Sequence, residues 1–146
     1  MTATTHAARW AHDTAIDVHA TPARVWQLFT DVANWPRWNA GVARAALHGP
    51  FASGSHFEMQ LPDGGPLLQS RLMDVQAHER FTDETAFEGV VVRVTHAIAP
   101  LATGGVRVHY RIEVEGPGAA DIGAAVSADF ADVLQSLKRA AEEPLP

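Results

Sequence analysis

The chain has 146 residues, 47% of them hydrophobic, with a formal net charge of −6 and no cysteine, which suits one ordinary domain with a real core. Its 11 Lys and Arg residues are scattered, which argues against a nucleic-acid partner or an anionic membrane surface, since both are held by clusters of cations. The missing thiols exclude disulfides and cysteine chemistry and fit a reducing compartment. No run reaches membrane-spanning length, and residues 1–8 lack the apolar core of a signal peptide, so a cytoplasmic protein without membrane insertion is expected.

Residues 1–8 read as a flexible tail and residues 9–146 as a single domain. From Trp10 to Val18 the chain alternates, with Trp10, His12, Thr14, Ile16 and Val18 on one face, which predicts a first strand. Thr21-Pro22 then supplies an N-cap and a proline at the first helical position, and Val25, Trp26, Leu28 and Phe29 form the apolar face of a short helix. Asp31 is positioned to cap a second short turn of helix that Pro36 ends or bends. Val42 to His48 and Ser55 to Leu61 are the next strand candidates, the second with Phe57, Met59 and Leu61 in alternation. Pro62-Asp63-Gly64-Gly65-Pro66 is a strong turn. Leu67 to His78 breaks its own alternation, which predicts a bulge near Leu72. Arg80 to Phe87 places Phe81, Asp83, Thr85 and Phe87 on one face.

Val90 to Ile98 and Val106 to Val114 alternate most clearly, and Ala102-Thr103-Gly104-Gly105 joins them as a hairpin. Even positions face even positions in either of two registers, so Val94, His96 and Tyr110 share the inward face, with His96 opposite Val108 or Tyr110. Gly116-Pro117-Gly118 ends the strands. Ala119 to Glu142 then reads as one helix ~36 Å long, with Ile122, Val126, Phe130, Val133, Leu134, Leu137 and Ala141 as its apolar stripe and Asp129 among the polar residues between. The order of elements predicts an α+β fold with an antiparallel sheet and every helix on one side.

The inward faces are not uniformly apolar. They include His12, Thr14, Asp83, Thr85, His96 and Tyr110, and buried polar groups are costly unless paired or wet. Either these groups satisfy one another in a solid core, or they line a solvated pocket between sheet and helix. Gly123, Ala124 and Ala125 leave room for such a pocket near the start of the helix. His96 is either a core histidine bonded to Tyr110 or a backbone carbonyl, or a ligand-contacting acid/base group near neutrality. Asp83 turns to solvent if its strand shifts by one residue. The eight histidines include no His-x-His or His-x-x-x-His spacing, so no metal site is expected. There is no Gly-x-Ser-x-Gly elbow, and no second βαβ half follows Gly116-Pro117-Gly118, so no cofactor is expected.

Ala20-Thr21-Pro22-Ala23-Arg24-Val25-Trp26-Gln27-Leu28-Phe29, followed by Asp31-Val32-Ala33-Asn34-Trp35-Pro36-Arg37-Trp38, closely resembles the N-terminal signature of the SRPBCC superfamily, the START-like group that includes the birch-pollen-allergen fold. Arg80-Phe81-Thr82-Asp83-Glu84-Thr85, Val92-Arg93-Val94-Thr95-His96 and Gly105-Val106-Arg107-Val108 look like its polyketide cyclase/dehydrase and lipid-transport branch. The resemblance implies a helix-grip fold, in which a seven-stranded antiparallel sheet wraps a long C-terminal helix and two short helices follow the first strand. It also implies a cavity for a small hydrophobic molecule. Carried over by position, Trp38, Phe57, Met59, Phe81 and Phe130 would form the walls, with Asp83, Thr85, Val94 and Val126 completing the ligand-contacting set. His96 and Tyr110 would be the acid/base candidates. Three functions follow: a binding protein for a polyketide- or lipid-like ligand, an active cyclase/dehydrase, or a co-chaperone-like interaction module without a functional cavity. A monomer or a homodimer fits any of them.

Overall fold

The computed structural model describes residues 8–143; Met1 to Ala7 of the expected tail lie outside the described residues. Seven strands run β1 (Arg9–Val18), β2 (Arg44–His48), β3 (His56–Gln60), β4 (Leu68–Gln76), β5 (Arg80–Phe87), β6 (Val90–Pro100) and β7 (Val106–Glu115). They form one sheet in the order β1-β7-β6-β5-β4-β3-β2, antiparallel throughout. Short turns make each strand from β2 onward the neighbour of the next. The chain leaves β1 through α1 (Pro22–Thr30) and a 3-10 helix (Val32–Arg37) before it reaches the far edge of the sheet.

The two registers left open by alternation resolve to one, with His96 opposite Tyr110. Alternation also sorts the faces. Val106, Val108, Ile112 and Val114 are essentially inaccessible, while the opposite face carries paired charges such as Arg107 with Asp17, Arg111 with Asp13, and Arg71 and Arg93 with Glu84. Those exposed pairs contribute little stability, but they keep the outer face in water and so hold the register.

Two local expectations change and a third is refined. Thr21 caps α1 by accepting from the Arg24 amide at 3.1 Å, but Asp31 caps nothing; its carboxylate takes the Asn34 side-chain amide at 2.7 Å instead. The bulge expected near Leu72 is found one residue further on, where the register of β4 shifts between Met73 and Gln76, with Asp74 at φ 47°. There the Arg80 guanidinium donates to the Asp74 carboxylate at 2.7 Å, which favours the irregular turn. The C-terminal helix is present but not continuous. It divides into α2 (Ala119–Ser127) and α3 (Phe130–Glu142), with Ala128 and Asp129 between. The Ser127 hydroxyl donates back to the Gly123 carbonyl at 2.7 Å, a side-chain bond that competes with the helix's own and bends it.

The apolar stripe serves the two segments differently. In α3, Phe130, Val133, Leu134, Leu137 and Ala141 are all buried. In α2 only Ala119 and Gly123 are. Gly123 leaves no room for a ligand, because the Trp10 ring occupies the place a Cβ would take. Trp10 and Gly123 instead anchor α2 to the start of β1, and the space that the small residues were expected to provide opens further along, at Ala125, Val126 and Ala128.

Candidate ligand-binding site

A cavity of about 660 Å³ lies between the inner face of the sheet and the joint between α2 and α3, within the range of small-molecule sites. Its walls follow from strand parity. β5 contributes Phe81, Asp83 and Thr85, β6 contributes Val94 and His96, and β7 contributes Tyr110. Met59 enters from β3, Trp38 from the end of the 3-10 helix, and Val126 and Phe130 from either side of the helix joint. Of the residues expected to contact a ligand, Phe57 alone is placed elsewhere. It is fully buried behind Trp35, whose ring meets it edge-on at 5.4 Å, and so belongs to the core beneath the cavity. His12 and Thr14 share the inward register but sit outside the cavity; His12 is exposed and stacks on Trp10.

The inner end of the cavity is aromatic. His96 stacks on Phe81 with centroids 4.1 Å apart and planes at 7°, Tyr110 meets His96 edge-on at 4.5 Å, and Phe130 meets Tyr110 at 5.5 Å. Such contacts fix ring orientation as well as burying area. Thr85 is satisfied by Ser70 at 2.6 Å. The remaining polar groups are not. His96 Nδ1 is buried without a hydrogen-bond partner, and its Nε2 lies 3.8 Å from an Asp83 oxygen, too far for a hydrogen bond. Neither the Asp83 carboxyl nor the Tyr110 hydroxyl has a hydrogen bond among the described residues.

Burial decides the protonation of all three. It pushes Asp83 up to about 7. It pushes His96 down to about 3, outweighing the backbone of Phe81 and Val94, which favours the charged ring. It raises Tyr110 too, with help from the charges of Asp83 and Asp129. At neutral pH the pair at 3.8 Å is therefore a neutral imidazole beside a carboxyl that is about half protonated, not a salt bridge. This corrects the expectation of a histidine poised near neutrality, because the poised group is Asp83.

The sequence-based set also missed part of the wall, including Val42, Leu68, Val92, Val133 and Asp129. Asp129 lies on the cavity because the helix breaks there; on an unbroken helix it belongs to the polar side. Gly41 makes room for it, since a Cβ at Gly41 would stand 2.7 Å from the Asp129 carboxylate. Burial raises the Asp129 pKa, and Asp132 adds to the effect. Among the described residues no group of side chains has the composition of a metal site, and no helix is long and apolar enough to cross a membrane.

The chain belongs to the polyketide cyclase/dehydrase and lipid transport family, whose sequence profile matches residues 9–142. Solved structures share the fold at low identity. Truncated norcoclaurine synthase from Thalictrum flavum superposes with a TM-score of 0.77 at 12% identity, covering 99% of this chain and 100% of that one. The di-domain ARO/CYC BexL from the BE-7585A biosynthetic pathway gives 0.77 at 16% identity, covering 94% of this chain and 51% of that one. Protein MLL2253 from Mesorhizobium loti gives 0.71 at 16% identity, covering 90% and 96%. No curated protein matches the chain.

Proposed function

We propose that this member of the polyketide cyclase/dehydrase and lipid transport family binds one small, largely apolar ring-containing molecule in the cavity between the sheet and the α2–α3 joint. The observation that carries the reading is the combination of about 660 Å³ of space with a wall on which His96 Nδ1 is buried without a partner and the Asp83 carboxyl lies 3.8 Å from His96 Nε2, beyond hydrogen-bond reach. A filled core would have satisfied Asp83, His96 and Tyr110 or replaced them by apolar residues, since each unpaired buried group costs about 1–3 kcal/mol. That space also weighs against an interaction module without a functional cavity. Native mass spectrometry of the purified protein, followed by denaturation and extraction, tests it. The expected result is a stoichiometric apolar adduct, or one formed on adding an aromatic compound, and its loss in Val94→Trp, which fills the floor. A folded wild-type protein that takes up no compound from an aromatic library would overturn the proposal.

A catalytic reading is favoured by one observation, that the Asp83 carboxyl, which burial pushes up to about 7, shares the cavity wall with Tyr110. Asp83 as carboxylate takes a proton from a carbon next to a ketone, and the resulting enolate oxygen accepts a hydrogen bond from Tyr110. The enolate carbon attacks a second carbonyl of the same chain, whose oxygen recovers the proton from Asp83. The ring closes with no net loss of atoms, and elimination of water follows as a separate step. His96, held neutral 3.8 Å away, puts no competing positive charge beside the carboxyl. Ring closure of a model poly-ketone that survives Asp83→Asn unchanged would exclude this mechanism.

A further inference from the structure

We propose that the cavity is built for a ligand carrying a protonated amine on an aromatic or alicyclic frame, with its ammonium group drawn to the Asp83 carboxyl. The inference rests on the binding function proposed above and specifies its ligand class. It begins with charge. Asp63, Asp83 and Asp129 all lie on the cavity wall, and among the described residues no Lys or Arg does. Arg71, Arg93, Arg107 and Arg111 of the sheet point the other way, held by Asp13, Asp17 and Glu84 on the outer face. A fatty acid, a phosphate ester or any other anion would meet acids and no countercharge.

The wall also offers what a cation needs. The rings of Trp38, Tyr110 and Phe130 line the space, and aromatic rings attract ammonium groups most strongly where water is excluded. Tyr110 is 97% buried by its 3% exposure, and its hydroxyl has no partner. The carboxyl of Asp83 has none either, with only His96 Nε2 near it at 3.8 Å. An ammonium carries three donors and no acceptor, enough for the Asp83 carboxylate and the Tyr110 oxygen together. A ketone or ester brings acceptors alone and leaves the Asp83 carboxylate unanswered.

The state of Asp83 then makes binding depend on pH. The titratable groups that share the cavity wall with it are His96 from β6, Tyr110 from β7, Asp129 from the α2–α3 joint and Asp63 from the turn between β3 and β4; β4 pairs apolar Leu72 with it. His96 stays neutral above about 3 and Tyr110 stays protonated, so Asp83, which titrates at about 7, is the group that changes charge near neutrality. Its ionised fraction rises roughly tenfold between about pH 6 and pH 8, and the affinity for an amine that is protonated throughout should rise by about the same factor.

Isothermal titration with naphthylethylamine, naphthylethanol and naphthylpropanoate, near-isosteric compounds that are cationic, neutral and anionic, tests the proposal. The expected order of affinity at about pH 8 is amine, then alcohol, then acid, with the amine alone strengthening about tenfold from pH 6. Asp83→Asn should weaken the amine by roughly tenfold or more, flatten its pH profile and remove its advantage over naphthylethanol. Equal or tighter binding of the alcohol or the acid at about pH 8 would overturn the amine assignment and leave the binding function standing. No binding of any of the three would overturn both.

Discussion

Replacing Asp83 by Asn should expose a titration that the wild-type pair conceals. The ordinary values are 3.8 for the aspartate and 6.5 for the histidine, against about 7 and about 3 in the fold. Asp83, raised, contributes stability that is present below 3.8 and lost as pH climbs through about 7. His96, lowered, contributes stability that is present above 6.5 and lost as pH falls through about 3. Between 3.8 and 6.5 folding therefore takes up one proton on Asp83 and releases one from His96, and their opposite slopes of about 1.36 kcal/mol per pH unit cancel. Asp83→Asn leaves the histidine slope alone. Relative to wild type the variant should lose about 2.7 kcal/mol between pH 6.5 and pH 4.5. At about pH 8 it should be more stable than wild type. The gap between about 7 and 3.8 sets an upper limit of about 4 kcal/mol at 1.36 per unit, less the cost of the amide in an apolar wall. Urea unfolding at the three pH values reads this directly, because every other carboxylate drops out of the comparison between the two proteins. Parallel pH profiles would refute the reasoning. So would an Asp83→Asn protein about 3–5 kcal/mol less stable at pH 8, the outcome expected on breaking a buried ion pair.

Two further substitutions separate packing from binding. Gly123→Ala should cost about 1–3 kcal/mol of stability and so lower the melting temperature, even though alanine is worth about 1 kcal/mol more than glycine in a helix, because the new methyl overlaps the Trp10 ring; a stabilised variant on thermal melting would mean that α2 does not rest on β1 there. Tyr110→Phe removes a hydroxyl that bonds to no other group among the described residues, so unfolding stability should stay within about 0.5 kcal/mol while naphthylethylamine binding weakens in titration calorimetry; unchanged affinity would take the hydroxyl out of the site.

Most of the fold was legible because strand parity is a strong constraint. Val106, Val108, Tyr110, Ile112 and Val114 have one buried arrangement, and a slip of one residue would turn them outward and bring Arg107 and Arg111 into the core. The same parity put Val94, His96 and Tyr110 on one wall, and the resemblance added Trp38, Met59, Phe81 and Phe130. It could not separate Phe57 from Met59. Both point inward on β3, but Trp35 covers the first and leaves the second at the cavity, and that depends on where the 3-10 helix lies after a turn whose direction no periodicity encodes.

The protonation of the site was hidden for a related reason. His96 and Asp83 were each readable as inward-facing, and an inward histidine invites assignment as the proton carrier because its ordinary pKa is nearest neutrality. Burial reverses the assignment. Desolvation disfavours whichever form is charged, so it drives the histidine away from neutrality and the aspartate toward it; two groups that begin 2.7 units apart at 6.5 and 3.8 exchange order. Their sequence positions determine that they meet, but only their depth in the cavity wall, beside the aromatic stack of Phe81, His96 and Tyr110, determines which one holds the proton.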